Sequence, residues 1–172
     1  VVGTVFDDDY VEQLKQFCKT TGIDTHVMWD HQPSHDHIQQ YFQCSDMVLS
    51  LPDNCSETFG LAVIEAMACQ KPVVIADYAG YKGHITDGVE GFYIPTYSMA
   101  TQPEADYSFY EPRLFGHQYS QRIVIDLDCL LDKIGQLLKD TKLRYSMGEH
   151  ARQLVEKQFS LSSMFNRYDA II

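Results

Sequence analysis

The 172-residue chain has no Cys-x-x-Cys pair, no stripe of basic residues and no run of about 18 apolar residues. Each absence removes a class. Its five cysteines, Cys18, Cys44, Cys55, Cys69 and Cys129, are odd in number and irregularly spaced. Neither a disulfide framework nor a zinc site is indicated, and a reducing, cytoplasmic setting is expected. A net charge of −11 argues against nucleic acid, which would want clustered Lys and Arg. No membrane span is expected, and the residues from Val1 onward show no signal-type hydrophobic core. The chain begins without methionine, so a piece cut from a longer protein is expected. There is no internal repeat and no low-complexity tract.

The content is that of a folded domain. With 45% apolar and 12% aromatic residues, the chain is too hydrophobic to be disordered, and its length suits one domain over 1–172. Strand and helix signals alternate over the first 95 residues. Strands are predicted at 2–6, 26–29, 46–52, 72–76 and 92–94. Between them, Val11, Leu14, Phe17 and Cys18 mark one helix, with Gly22 as its C-cap signal. Ser34 is placed to cap a second, carrying Ile38, Tyr41 and Phe42. The pattern predicts a doubly wound α/β domain, a parallel sheet of about five strands. It fails between Thr96 and Arg122, where Tyr97, Tyr107, Phe109, Tyr110, Phe115 and Tyr119 suggest a loop packed on its own domain. An acceptor or partner contact is the alternative. Beyond it, Leu127, Leu130, Leu131, Ile134, Leu137 and Leu138 make an amphipathic stripe. Two extra C-terminal helices follow, over 143–158 and from Ser160 to Tyr168.

The chemistry concentrates between residues 53 and 65. Asp53-Asn54-Cys55-Ser56 is a polar loop after a buried strand, and Phe59 to Cys69 is predicted helical up to Lys71-Pro72. In βαβ units ligands sit at the carboxyl ends of the strands, where this loop lies. Glu57 and Glu65, with seven residues between them, straddle the helix start. A carboxylate inside Leu61-Ala62-Val63-Ile64-Glu65-Ala66-Met67 is costly to bury, so it either faces solvent or meets a polar ligand. Gly60 allows close backbone approach, and free amides of Phe59, Gly60 and Leu61 at the positive helix end suit a phosphate. Because this loop is read as surface, Gly60→Val is expected to spare the thermal midpoint. His31, His35 and His37 cluster, but lack a carboxylate or cysteine at matching spacing, so surface histidines are preferred and no metal is expected.

Ser56-Glu57-Thr58-Phe59-Gly60-Leu61, then Glu65-Ala66-Met67-Ala68, Lys71-Pro72-Val73-Val74 and Asp87-Gly88-Val89-Glu90-Gly91-Phe92, carry a resemblance. From about Gly3 to its end, apart from an insertion near 97–122, the chain resembles the C-terminal, nucleotide-sugar-binding domain of group 1 type retaining glycosyltransferases with the two-domain GT-B fold. The resemblance implies a Rossmann-like half-fold that binds the donor, a nucleotide diphosphate sugar, as substrate, with no cofactor and no metal. It implies that Glu57, the catalytic candidate, contacts donor-sugar hydroxyls, that Glu65 holds the ribose, and that Phe59, Gly60 and Leu61, next to Thr58, offer amides to the diphosphate. It further implies transfer to an unknown acceptor hydroxyl with retention, and an N-terminal acceptor domain absent from these residues.

The chain departs from the family in three places. The Arg and Lys pair that neutralises the diphosphate would lie before Val1, and neither Lys71 nor Lys82 has a motif match to replace it. Lys82-Gly83-His84 stands where the family often has Pro-Glu. Gln32-Pro33-Ser34 occupies the base-binding loop, and Pro33 offers no N–H. Two other functions compete. A signalling receiver-like domain would use Asp7-Asp8-Asp9 and an acceptor aspartate, but Ser50 stands where that aspartate belongs; the three acids read better as a helix entry. A non-catalytic nucleotide-sugar-binding or epimerase-like module shares the fold.

Overall fold

A computed structural model describes residues 1–3, 7–51, 57–98 and 123–169. The chain separates into two compact units, Val1–Tyr41 and Phe42–Ile172. In the first, β1 (Val2–Gly3) pairs in parallel with β2 (Asp30–His31), connected through α1 (Asp8–Thr21) and a 3-10 turn at Asp24–His26. Asp7 caps α1 by accepting a hydrogen bond from the Tyr10 amide, and Asp8 and Asp9 fill its first turn, where acids oppose the helix dipole. The three acids are thus a helix entry. Gly22 closes α1 in the left-handed conformation at φ 73°.

The strand predicted at 26–29 is displaced. Its first residue belongs to the 3-10 turn, and the ladder forms at Asp30 and His31. Asp30 pairs with Val2 in this ladder, and the Tyr41 hydroxyl, from α2 (His35–Cys44), donates to its carboxylate at 2.6 Å. That bond, with burial and the Asp30 charge behind it, raises the Tyr41 pKa. The Ser34 hydroxyl accepts from the His37 amide, as its capping position predicts.

The second unit is built around β4. Strands β3 (Val48–Ser50), β4 (Val73–Ala76) and β5 (Gly91–Ile94) are all parallel, in the order β3-β4-β5. Val73, Val74, Ile75 and Ala76 are fully buried, as a central strand covered on both faces requires. Their alternation distributes them between two cores. Val73 and Ile75 pack with Val63, Ile64, Ala66 and Met67 of α3 (Leu61–Ala68) and with Ala151. Val74 packs with Phe92, Ile94, Leu130, Leu137 and Met147. Helices therefore cover both faces of a parallel sheet, and the strands of the two units, with the second displaced to Asp30–His31, are grouped as two plus three.

Two further strands were not expected. β6 (Thr96–Ser98) and β7 (Ile123–Ile125) pair antiparallel, Tyr97 opposite Val124. The patternless stretch thus begins inside a strand, and its remainder, 99–122, lies outside the described residues. The C-terminal helices are α4 (Leu127–Lys139), α5 (Thr141–Gln158) and α6 (Leu161–Asp169). The leucine stripe of α4 divides: Leu130 and Leu137 are buried, whereas Leu127, Leu131 and Leu138 are exposed. Residues 130, 134 and 137 share one helical face, and 127, 131 and 138 lie on the adjacent one.

Helix α3 ends where α5 crosses it. Gln70 adopts φ 59°, and the Lys71 amide returns to the Ala66 carbonyl, a left-handed cap made without glycine. Gly148 of α5 lies against the Gln70 carbonyl with no room for a β-carbon. We expect Gly148→Ala to lower stability by about 1–3 kcal/mol, read as a reduced denaturation midpoint, because backbone rather than a pliable side chain meets the added methyl.

Candidate donor-binding site

The site lies beyond the carboxyl end of β3, at the entry to α3. Glu57 folds its carboxylate back onto its own loop: Oε1 accepts from the Gly60 amide at 2.7 Å and the Phe59 amide at 3.2 Å. Two of the three amides expected to be open are therefore taken. A negative group at a helix start with N–H donors around it is favoured by charge and hydrogen bonding together. Glu57 Oε2 has no partner among the described residues, and no acceptor there takes the Leu61 or Ala62 amide.

Gly60 is buried and holds φ 78° directly before α3. A β-carbon on it would overlap the Tyr81 ring. Gly60 is thus a packing position, contrary to the surface location expected for it. The Tyr81 hydroxyl is 2.7 Å from the Ser50 hydroxyl at the end of β3. Burial raises the Tyr81 pKa, the Ser50 hydrogen bond works against this, and the nearby Glu57 charge raises it further. Ser50, at the position a phospho-acceptor aspartate would need, is instead a partner for this phenol.

The segment from Tyr78 to Ile85 forms the floor under the loop. The Gly80 amide donates to the Glu57 carbonyl at 3.1 Å, and Gly80 lies flush on the Thr58–Phe59 peptide, with no space for a side chain. The His84 ring meets the Phe59 carbonyl through Nε2 and the Phe59 ring edge-on, with centroids 4.7 Å apart. Phe159, just past α5, packs edge-on against both, with centroids 5.9 Å from Phe59 and 6.0 Å from His84. One hydroxyl ties this floor to β5. Tyr93 accepts from the amides of Gly83, His84 and Ile85 and donates to the Tyr81 carbonyl at 2.7 Å. Glu90, also buried, accepts from the Thr86 amide, and Asp87 accepts from the Tyr93 amide. Gly80, Tyr81, His84, Tyr93 and Phe159 escape sequence inspection as site residues, because what they meet lies in other segments: backbone groups for Gly80, His84 and Tyr93, the Ser50 hydroxyl and Gly60 for Tyr81, and two rings for Phe159.

Glu65 lies on the second turn of α3, about 6 Å along the axis from Leu61. Its carboxylate is half-buried and has no hydrogen-bond or ionic partner among the described residues. Leu61 and Glu65, four apart, share the outer face of α3, opposite the buried Val63, Ile64 and Met67. Thr58 is exposed and Phe59 is 39% exposed. The nearby cations are directed elsewhere: Lys71 donates to the Gln43 carbonyl, and Lys82 pairs with Asp77. His31, His35 and His37 are all exposed.

The model of the family described as glycosyl transferases group 1 matches residues 1–106. The chain belongs to the group 1 glycosyltransferases. It is 27% identical over 158 residues to the N-acetyl-alpha-D-glucosaminyl L-malate synthase of Bacillus anthracis, covering 92% of this chain and 33% of that enzyme. It therefore spans about a third of this curated relative. The fold matches the C-terminal domain of a group 1 glycosyl transferase, LpcC, from Francisella tularensis, with a TM-score of 0.62 at 22% identity, covering 92% of this chain and 66% of that one. Anabaena HepE in complex with UDP and glucose matches with a TM-score of 0.69 at 23% identity, over 99% of this chain and 38% of HepE. This group 1 glycosyltransferase chain thus has the Rossmann-like, C-terminal architecture of a GT-B protein. No helix among the described residues is long and apolar enough to cross a membrane.

Two outcomes follow from the packing of the loop. Gly60→Val should lose about 2 kcal/mol or more of stability, combining an unfavourable φ with ring overlap, and lower the melting temperature by about 5 °C or more. Tyr81 binds its proton more tightly folded than unfolded. Its contribution is thus complete below the ordinary tyrosine pKa of 10.0 and is lost as pH rises through the folded value. Denaturant unfolding across the alkaline range should show a shallower decline for Tyr81→Phe than for the wild type.

Proposed function

We propose that residues 1–172 serve as the donor-binding domain of a retaining, hexosyltransferase-type glycosyltransferase that moves a sugar from a nucleotide diphosphate sugar to an acceptor hydroxyl. The observation that carries this reading is the state of Glu57. Two amides hold one carboxylate oxygen in place, and the other is left to accept from sugar hydroxyls at the mouth of α3. The amides of Leu61 and Ala62, with the helix dipole, then serve the diphosphate, so the phosphate contact moves one residue into the helix from the place the sequence suggests. Glu65, partnerless on the adjoining turn, is the ribose acceptor, since a carboxylate takes two vicinal hydroxyls well. Thr58 and Phe59 border the sugar. The UDP and glucose held by HepE support this class of ligand.

Catalysis in this scheme is positioning together with charge stabilisation of the departing diphosphate. Lys71 and Lys82 are engaged elsewhere, so cations for that diphosphate come from the rest of the full-length protein, as does the acceptor site. The five irregularly spaced cysteines favour a cytoplasmic setting. Nucleotide sugar is the substrate, and neither a cofactor nor a metal is assigned to the site.

Titrating the chain with UDP, GDP and ADP in turn, by calorimetry or NMR, tests the reading and identifies the base. Glu65→Ala should weaken the preferred nucleotide by about 1–3 kcal/mol while leaving the fold intact. Unchanged affinity would remove Glu65 from the site, and no binding of any of the three would remove the donor role. The 172-residue chain should bind but show no sugar transfer above background, because domain closure and the acceptor site lie outside it. A longer chain carrying the upstream domain should transfer sugar and lose that activity in Glu57→Ala.

A further inference from the structure

We infer that His84 is a positioning residue that fixes the orientation of the Glu57 carboxylate through a single peptide group; the inference rests on Glu57 being the sugar-contacting carboxylate. The connection is short. His84 Nε2 meets the Phe59 carbonyl oxygen, and a carbonyl only accepts, so Nε2 carries the proton and donates. That carbonyl belongs to the peptide between Phe59 and Gly60. The N–H of the same peptide is the one that donates to Glu57 Oε1 at 2.7 Å. A donor on the carbonyl side polarises the peptide and strengthens its N–H as a donor, and it also stops the peptide plane from rotating away from the carboxylate.

The imidazole is held so that it can do this. It is 7% exposed, its ring is packed edge-on by Phe59 and Phe159, and its own amide donates to the Tyr93 hydroxyl at 3.1 Å and to the Tyr81 carbonyl at 3.2 Å. The second peptide that holds Glu57, between Thr58 and Phe59, is fixed separately by the close contact of Gly80. Each of the two amides on Oε1 is therefore backed by one residue of the 78–85 segment. His84 is the one that acts through a removable hydrogen bond. A histidine serving only as a filler of the aromatic cluster would be replaceable by another ring. One that positions Glu57 would be replaceable by another donor.

Two variants separate these roles. His84→Phe keeps the ring and removes the donor; His84→Gln removes the ring but carries a side-chain N–H the same number of bonds from the backbone. His84→Met, flexible and without a donor, takes the place of the first where phenylalanine does not fold. The first measurement is the Gly60 amide resonance in the 15N-labelled chain. His84→Phe should move it upfield, in the direction that Glu57→Ala moves it, and His84→Gln should return it towards the wild-type position. The second is affinity for UDP, GDP and ADP compared with UDP-glucose, GDP-glucose and ADP-glucose. His84→Phe should weaken the sugar nucleotide of the preferred base about tenfold while changing the bare diphosphate little, and His84→Gln should recover most of the loss.

A Gly60 amide that does not respond to His84→Phe or His84→Met in a folded chain overturns the positioning role, as does equal weakening of bare and sugar-bearing nucleotides. A Gly60 response with glutamine rescue, but without binding of any nucleotide, upholds the His84–Glu57 connection and removes the donor assignment instead.

Discussion

The contact between the Tyr81 ring and the α-carbon of Gly60 is the constraint on which the loop at the entry to α3 depends. Because the ring occupies the space of a β-carbon, residue 60 can only be glycine, and glycine there accepts the left-handed turn that launches α3. The same phenol reaches Ser50 at the end of β3. One side chain thereby sets the distance between a strand end and a helix start, the two borders of the βαβ crevice. The cost is a hydroxyl in a buried place, met by the Ser50 hydroxyl.

The loop also shows how a helix entry is divided between the protein's own acid and an incoming anion. Glu57 takes the two amides that precede α3, so the positive end is partly satisfied before any ligand arrives. A diphosphate placed there must share the terminus with a fixed carboxylate, an arrangement that is unfavourable unless cations are brought from outside the loop. The aromatic packing of Phe59, His84 and Phe159 shields one side of the loop, which strengthens every charged hydrogen bond within it.

Much of this was legible because periodicity and capping are local. The central strand Val73–Ala76, the apolar face of α3, the Asp7 and Ser34 caps and the Gly22 stop all read directly from neighbouring residues. Glu57 and Glu65 stood out because an acid beside or inside an apolar helix needs a reason. What could not be read is what depends on distant pairing. The strand at Asp30–His31 is fixed by register with Val2 and Gly3 and by Tyr41, not by its own hydrophobicity. Ile123–Ile125 has the β-branched composition of a strand, but its antiparallel partner Thr96–Ser98 is defined only by the pairing itself. His84 and Tyr93 look ordinary in sequence, and their importance comes from carbonyls and amides that carry no residue identity.

The β6–β7 ladder joins distant parts of the chain. Ser98 and Ile123 are partners in its register, so two positions far apart in sequence are brought side by side. Pairing across so long a separation costs loop entropy that grows by only about 0.6 kcal/mol for each doubling of length, and the register pins both strands against slippage. The ladder therefore works as a clasp: it holds β7 against β6 and so sets where the chain enters α4, whose capping residue Asp126 donates its amide to the Pro95 carbonyl.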